Sequence, residues 1–185
     1  MTMKTLVLDL ETQQLVSDWS KPWEAGLSVC GVWISWMGGP AGRLRLYDPG
    51  SIENVIPLIE AAEIVVTYNG DKFDLPFLGG LVRAFKVRKH IDLLALIKAE
   101  TGRRWSLDNI TRATLGRCKT GKGSSAPLLW TRNEYASLYS YCLDDVSLTR
   151  DLYTFACQHG YVLGDSDEGI QQIELHLRAT SMEGK

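Results

Sequence analysis

The chain has 185 residues, with 20 Lys and Arg against 22 Asp and Glu, a formal net charge of −2, 45% apolar and 23% charged residues. These totals fit one core burying about 70% of the surface its unfolded form exposes, and they exclude disordered and collagen-like classes. The slightly acidic balance also disfavours a histone-like or repressor-like protein living along a polyanion, but not an enzyme that meets nucleic acid locally with metal ions supplying positive charge.

In chain order, Lys4 to Leu10 reads as a first strand. It belongs to the stretch TLVLDLETQQ, in which Asp9 and Glu11 stand one residue apart. Side chains at i and i+2 of a strand share a face, and two like charges so placed raise each other's pKa or demand a cation. The plainer alternative ends the strand at Leu8 and leaves the acids in a solvated turn; a D-x-E pair in so acidic a chain is weak on its own. Leu27 to Trp36 reads as a second strand, Gly38, Gly39, Pro40 and Gly42 as a turn, and Arg43 to Tyr47 as a third strand, together an antiparallel meander.

The period then changes. Ile52 to Ala62 has helical spacing with Ser51 in the N-cap position, and Glu63 to Tyr68 is a short buried strand ending in Asn69-Gly70. Helical patterns follow at 74–85, 91–101, 106–115 and 132–157. Between them, Arg117 to Ser125 is a basic, Gly- and Ser-rich loop, and a late alternating stretch, IQQIELHL, is a candidate strand before a frayed tail. Strands first, then a strand among helices, imply an α/β mixed sheet flanked by helices. The expected division is a domain over 1–160 with a C-terminal extension over 161–185.

Two further segments carry chemistry. In VVTYNGDKFDLPFL, Asn69, Phe73 and Asp74 follow the central strand, at the edge of an open sheet where ligands bind. Helix capping would by itself explain Asp74, with Pro76 in the first turn. In YSYCLDDVSLTRDLY, Tyr141 and Asp145 are four apart and share a helix face, whereas Asp144 points about 100° away.

Taken together, D-x-E on a first strand, N-x-x-x-F-D after a central strand and Y-x-x-x-D on a late helix resemble the DEDD superfamily of 3′-to-5′ exonucleases. The fold this implies is ribonuclease-H-like, with the first three strands antiparallel and the later ones parallel. The resemblance runs from about Lys4 to Tyr153, takes in HIDLL at 90–94 and SLDNI at 106–110, and is nearest in style to the proofreading domain of family-B DNA polymerases. Ser140 stands where the histidine branch has its histidine, and Tyr141 matches the tyrosine branch.

The resemblance implies two divalent cations, Mg²⁺ or Mn²⁺, at Asp9, Glu11, Asp74 and Asp145, hard oxygen donors that suit either ion. Tyr141 would orient or deprotonate the attacking water, and Thr12, Asn69 and Phe73 would contact the terminal nucleotides. The implied reaction is hydrolytic release of nucleotides from the 3′ end of nucleic acid, single strands preferred, with DNA placed ahead of RNA. The rival readings are an exoribonuclease with the same site and a binding or polymerase-associated module without catalysis.

Other features point elsewhere less well. Gly116, Gly121 and Lys122 imitate a phosphate-binding loop, but Gly123 fills the hydroxyl position and a helical pattern precedes it. Arg117, Lys119 and Lys122, and the cluster Arg83, Lys86, Arg88 and Lys89, are candidate backbone contacts or merely solvated charge. Cys30, Cys118, Cys142 and Cys157 lack metal-site spacing and read as reduced thiols. None of His90, His159 and His176 occupies the place of a general base. No apolar run, Leu27 to Met37 included, is long enough for a bilayer span, and no signal-like segment opens the chain, so a cytoplasmic location without membrane contact is expected.

Overall fold

Along β1, Thr5–Thr12, alternate residues face opposite sides of a sheet covered on both faces. Leu6, Leu8 and Leu10 enter one core with Ile56, Ile59, Phe77 and Leu78, while Val7 enters the other with Leu93, Ile97, Ile110 and Leu152. The structure, a computed structural model, describes residues 3–118, 125–175 and 177. The remaining strands of this sheet are β2, Leu27–Ile34; β3, Arg43–Tyr47; β4, Ile64–Thr67; and β5, His90–Asp92. Their order is β3-β2-β1-β4-β5, antiparallel from β3 through β1 and parallel from β1 through β5.

The helices are α1, Ile56–Ala61; α2, Asp74–Leu81; α3, Leu93–Thr101; α4, Leu107–Leu115; α5, Ala126–Thr131; and α6, Tyr135–His159. A hairpin of β6, Tyr161–Ser166, and β7, Gly169–Glu174, forms a separate two-stranded sheet. Among the described residues no helix is long and apolar enough to cross a membrane.

Several elements differ from the sequence pattern for identifiable reasons. β1 runs through Asp9 and Glu11 to Thr12, so the acids are strand residues, and a register shift between Glu11 and Thr12 ends the regular pairing with β2. Ser51 is not a side-chain cap: its hydroxyl bonds Asp48 Oδ1 at 2.6 Å, and a 3₁₀ turn at Ile52–Val55 precedes α1. Helix α2 stops at Leu81, where Val82 is extended, rather than reaching 85. The pattern at 91–101 splits, because Asp92 closes β5 and caps α3 by accepting from Leu94 N at 3.0 Å and Ala95 N at 3.3 Å. The pattern at 132–157 starts late: Asn133, at φ 58°, separates α5 from the 25-residue α6. β7 overlaps the expected late strand, starting one residue before it and ending at Glu174, and its partner β6 had no clear alternation to announce it. Val162, Ile173 and Leu175 of this hairpin region pack into the core beside α4 and α6. His176, the tail from 178 and most of the basic loop, Lys119 and Lys122 included, lie outside the described residues.

Two features of this fold build the site. β4 pairs with β1 only as far as Val7, which leaves the carboxyl half of β1 without a strand neighbour on that side. On the other side, β2 places Gly31 opposite Asp9, and α6 crosses there so closely that Cys142 Sγ lies 3.7 Å from the Asp9 carbonyl.

Candidate active site

Strand alternation puts Asp9 and Glu11 on the face that α6 covers, and one helical turn puts Tyr141 and Asp145 on the side of α6 that meets them. One carboxylate oxygen from each of Asp9, Glu11 and Asp145 fits within a 4.8 Å span. Asp145 is 2% exposed and Glu11 9%, so their charges have little water to spread into. The Tyr141 phenol lies beside the Asp145 carboxylate, and burial, then the charges of Asp145, Glu11 and Asp9, push it well above the ordinary range.

Asp74 occupies the side of β1 that β4 leaves open. Its Oδ1 accepts from Leu10 N at 3.1 Å, standing in for the missing strand partner. The carboxyl is the first residue of α2 and does not cap it, which removes capping as the reason for an Asp here. Burial pushes its pKa up to about 8; its own backbone amide and that of Leu10 pull it down, while the charges of Asp92 and Asp145 add to the rise. Asp74 stands outside the close trio, at the edge of β1 beside Leu10.

The remaining candidate residues line the same cleft, about 800 Å³ in volume, together with the trio and Tyr141. Asn69 has φ 82°, and its N–H donates to Asp92 Oδ1 at 2.8 Å while Asp71 N donates to Oδ2 at 3.1 Å. One buried carboxylate thus caps α3 and clamps the loop that carries Asn69. Gly70 is required in that loop, since a Cβ there would sit 2.1 Å from Thr67 Oγ1. Phe73 packs edge-on against Phe77 with centroids 5.9 Å apart and lies 6.0 Å from the ring of Trp19. Thr12 also lines the cleft, but its hydroxyl donates to Gln14 O at 2.6 Å.

Sequence reasoning missed Asp92 as the loop clamp, Gly31 as the gap that admits α6, and Trp19 and Arg104 as cleft walls. The signal for Asp92 lay in the HIDLL string; an exposed Trp between short polar segments was the signal for Trp19. Two basic candidates are already engaged: Arg83 makes two bonds to Glu60 at 3.0 and 3.2 Å, and Arg117 pairs with Asp151. All four cysteines are free thiols. His90 lies outside the cleft lining, bonded to Thr67 and Asp71 at 2.9 Å each.

A largely buried trio of carboxylates, two from the carboxyl end of a central strand and one from the helix across it, is a set of hard donors that fits a divalent cation. Fold and site together define an α/β domain whose central strand and last long helix converge on a carboxylate trio able to hold a divalent cation. The chain belongs to the RNase_H superfamily: the family model RNase_H_2 matches residues 48–157, more than half of it. That span includes Asp74, Tyr141 and Asp145, and the sheet brings in Asp9 and Glu11 from outside it. Membership implies a nuclease-type domain with nucleic acid as its substrate. No curated protein matches the chain.

Proposed function

We propose that the protein is a divalent-metal-dependent 3′-to-5′ exonuclease of the tyrosine branch of the DEDD group, resembling the proofreading domains of family-B DNA polymerases. One observation carries the reading: Tyr141 and Asp145, one turn apart on α6, meet Asp9 and Glu11 of β1 in a single cleft. A pure binding module has no use for three carboxylates held this close at the cost of mutual repulsion.

In this reading Asp9, Glu11 and Asp145 would hold one cation, and Asp74 with Asp9 would help to hold a second. Bound Mg²⁺ or Mn²⁺ would supply Lewis acidity and a nucleophilic water at neutral pH. An ordinary phenol has a pKa of about 10, so Tyr141 would orient the attacking water by hydrogen bond rather than deprotonate it. Asn69, held by Asp92, and Phe73 contact the terminal nucleotides, with Thr12 beside them. Residues 1–160 form the catalytic domain. The extension over 161–185 begins with a hairpin whose two strands form a sheet of their own.

The test uses 5′-labelled single-stranded DNA and RNA of matched sequence with Mg²⁺ or Mn²⁺, beside EDTA and Asp145→Ala controls. The expected result is a ladder shortening from the 3′ end, faster on DNA, and lost in both controls. Faster shortening of RNA would make it an exoribonuclease. Shortening of neither strand would remove catalysis from the reading.

A further inference from the structure

The loop after β1 exposes apolar side chains where a soluble fold has reason to hide them. Trp19 is 61% exposed and Leu15 68%, and both line the cleft that holds the carboxylate trio. Exposed apolar groups scattered singly mean little, but two beside an acidic cleft mark a contact surface. Trp19 is also held in place. Asp18 Oδ1 accepts from Ser20 N at 2.8 Å and from Ser20 Oγ at 2.7 Å, closing a turn around it, and the Phe73 ring lies tilted against the indole with centroids 6.0 Å apart.

Arg104 comes from the α3–α4 connection, next to Trp105 of the core on the opposite face of the sheet from Phe73. Its neighbour Arg103 is committed elsewhere, with its guanidinium 3.7 Å from the centre of the Trp105 ring. Arg104 is exposed and lines the cleft, the one basic side chain among the described lining residues. It lies close enough to the Tyr68 phenol to draw its pKa down, against the larger upward effects of burial and Asp92. Among the described residues no carboxylate lies within ion-pair distance of it.

A cleft lined by carboxylates, an exposed indole and a single guanidinium is complementary to an alternation of base and phosphate. We infer that Trp19 and Arg104 grip an unpaired strand of nucleic acid, the indole stacking on a base and the guanidinium meeting a phosphate upstream of the carboxylate trio. The inference rests on the nuclease reading for its ligand class. A cleft of about 800 Å³ is on the scale of a nucleotide or two, and stacking on the indole needs a base whose face is free, as in an unpaired strand. Stacking on an aromatic side chain tolerates any base, since every base has a π-face, and it contributes about 5- to 150-fold in affinity per base.

Binding is measured on the full chain by fluorescence anisotropy, using 5′-fluorescein oligothymidylate, oligouridylate and a blunt duplex. Ca²⁺ replaces Mg²⁺ to hold cleavage back. Trp19→Ala should weaken oligothymidylate binding about 5- to 150-fold, and Trp19→Phe should recover most of the loss. Arg104→Ala should flatten the slope of log K against log salt by about 0.7, the share of one phosphate on a single strand. Both variants should keep the thermal shift induced by Mn²⁺, which shows that fold and carboxylates are undisturbed. The blunt duplex should compete poorly.

Unchanged affinity in both variants overturns the inference, whatever the cleavage assay shows. So does wild-type protein that binds neither oligonucleotide, or that prefers the duplex. Binding lost with Trp19 in a protein that cleaves nothing would uphold the grip and sink the exonuclease reading instead.

Discussion

Gly31 offers a direct test of how the site is assembled. It lies opposite Asp9 on β2, under the turn of α6 that carries Tyr141 and Asp145. A Cβ there would sit 2.9 Å from Cys142 Sγ and 3.0 Å from Val146 Cγ2, with the Cys142 carbonyl at 3.6 Å. Comfortable contacts between such atoms are about 3.5–4.0 Å, so Gly31→Ala requires α6 to retreat by about 0.5–1 Å. Cys142 and Val146 each follow directly after a site residue, so the retreat draws Tyr141 and Asp145 away from Asp9 and Glu11.

Overpacking of this kind costs about 1–3 kcal/mol, which in a domain of this size lowers Tm by about 2–12 °C. Misplacement by about 1 Å can cost on the order of 100-fold in rate. Gly31→Ala is therefore expected to fold, to lose about 10- to 100-fold in kcat on a single-stranded substrate and to leave KM nearly unchanged. Removing the sulfur that the new methyl meets, in Gly31→Ala with Cys142→Ala, should restore most of the rate. A Gly31→Ala protein with wild-type kcat and a wild-type response to Mn²⁺ would falsify the argument, because α6 would then have slack that the close contact denies.

Four more outcomes are expected. Asp9→Asn and Asp145→Asn should each lower metal-dependent cleavage by at least about 1,000-fold without lowering the metal-free Tm, since each relieves repulsion within the trio; calorimetry beside the cleavage assay checks both halves. Tyr141→Phe should cost less, about 10- to 100-fold in kcat, and full activity would take the phenol out of the reaction. Mn²⁺ at about 100 times its Kd should stabilise the wild-type fold by about 2.7 kcal/mol, or about 5–10 °C, and Asp145→Asn should abolish the shift.

The fourth concerns pH. Asp74 ordinarily titrates near 3.8 and is pushed up to about 8 in the fold, so the folded state binds the proton more tightly than the unfolded state. The metal-free protein should then lose stability as pH rises from about 4 through 8. Asp74→Asn keeps an acceptor for Leu10 N and should flatten that dependence. Urea midpoints at several pH values in EDTA would show it, and parallel curves for the two proteins would refute it.

Much of this was readable one dimension at a time. The run around β1 is a strand because alternate apolar residues feed two cores, and the same alternation puts Asp9 beside Glu11. A spacing of four puts Tyr141 and Asp145 on one side of a helix without knowledge of any neighbour. Boundaries were less legible where local pattern is ambiguous. Ile91 and Asp92 fit the spacing of the helix that follows them, and only pairing with β4 makes them part of a strand. Tyr161–Ser166 needed β7 beside it before it had a pattern at all.

Whether the two faces would meet was decided by tertiary structure. Local sequence fixes which side of an element a residue takes, since backbone geometry repeats every two or 3.6 residues. Distance between elements depends on what lies in the gap. Here a missing side chain at Gly31 lets α6 down onto β1, the early end of β4 leaves room for Asp74, and Asp92, remote in sequence from Asn69, holds the loop that carries it. Trp19 and Arg104 come to the same cleft from loops 85 residues apart only because the sheet brings the carboxyl ends of β1 and β4 to one edge, where the Tyr68 hydroxyl holds the Trp105 carbonyl at 2.9 Å.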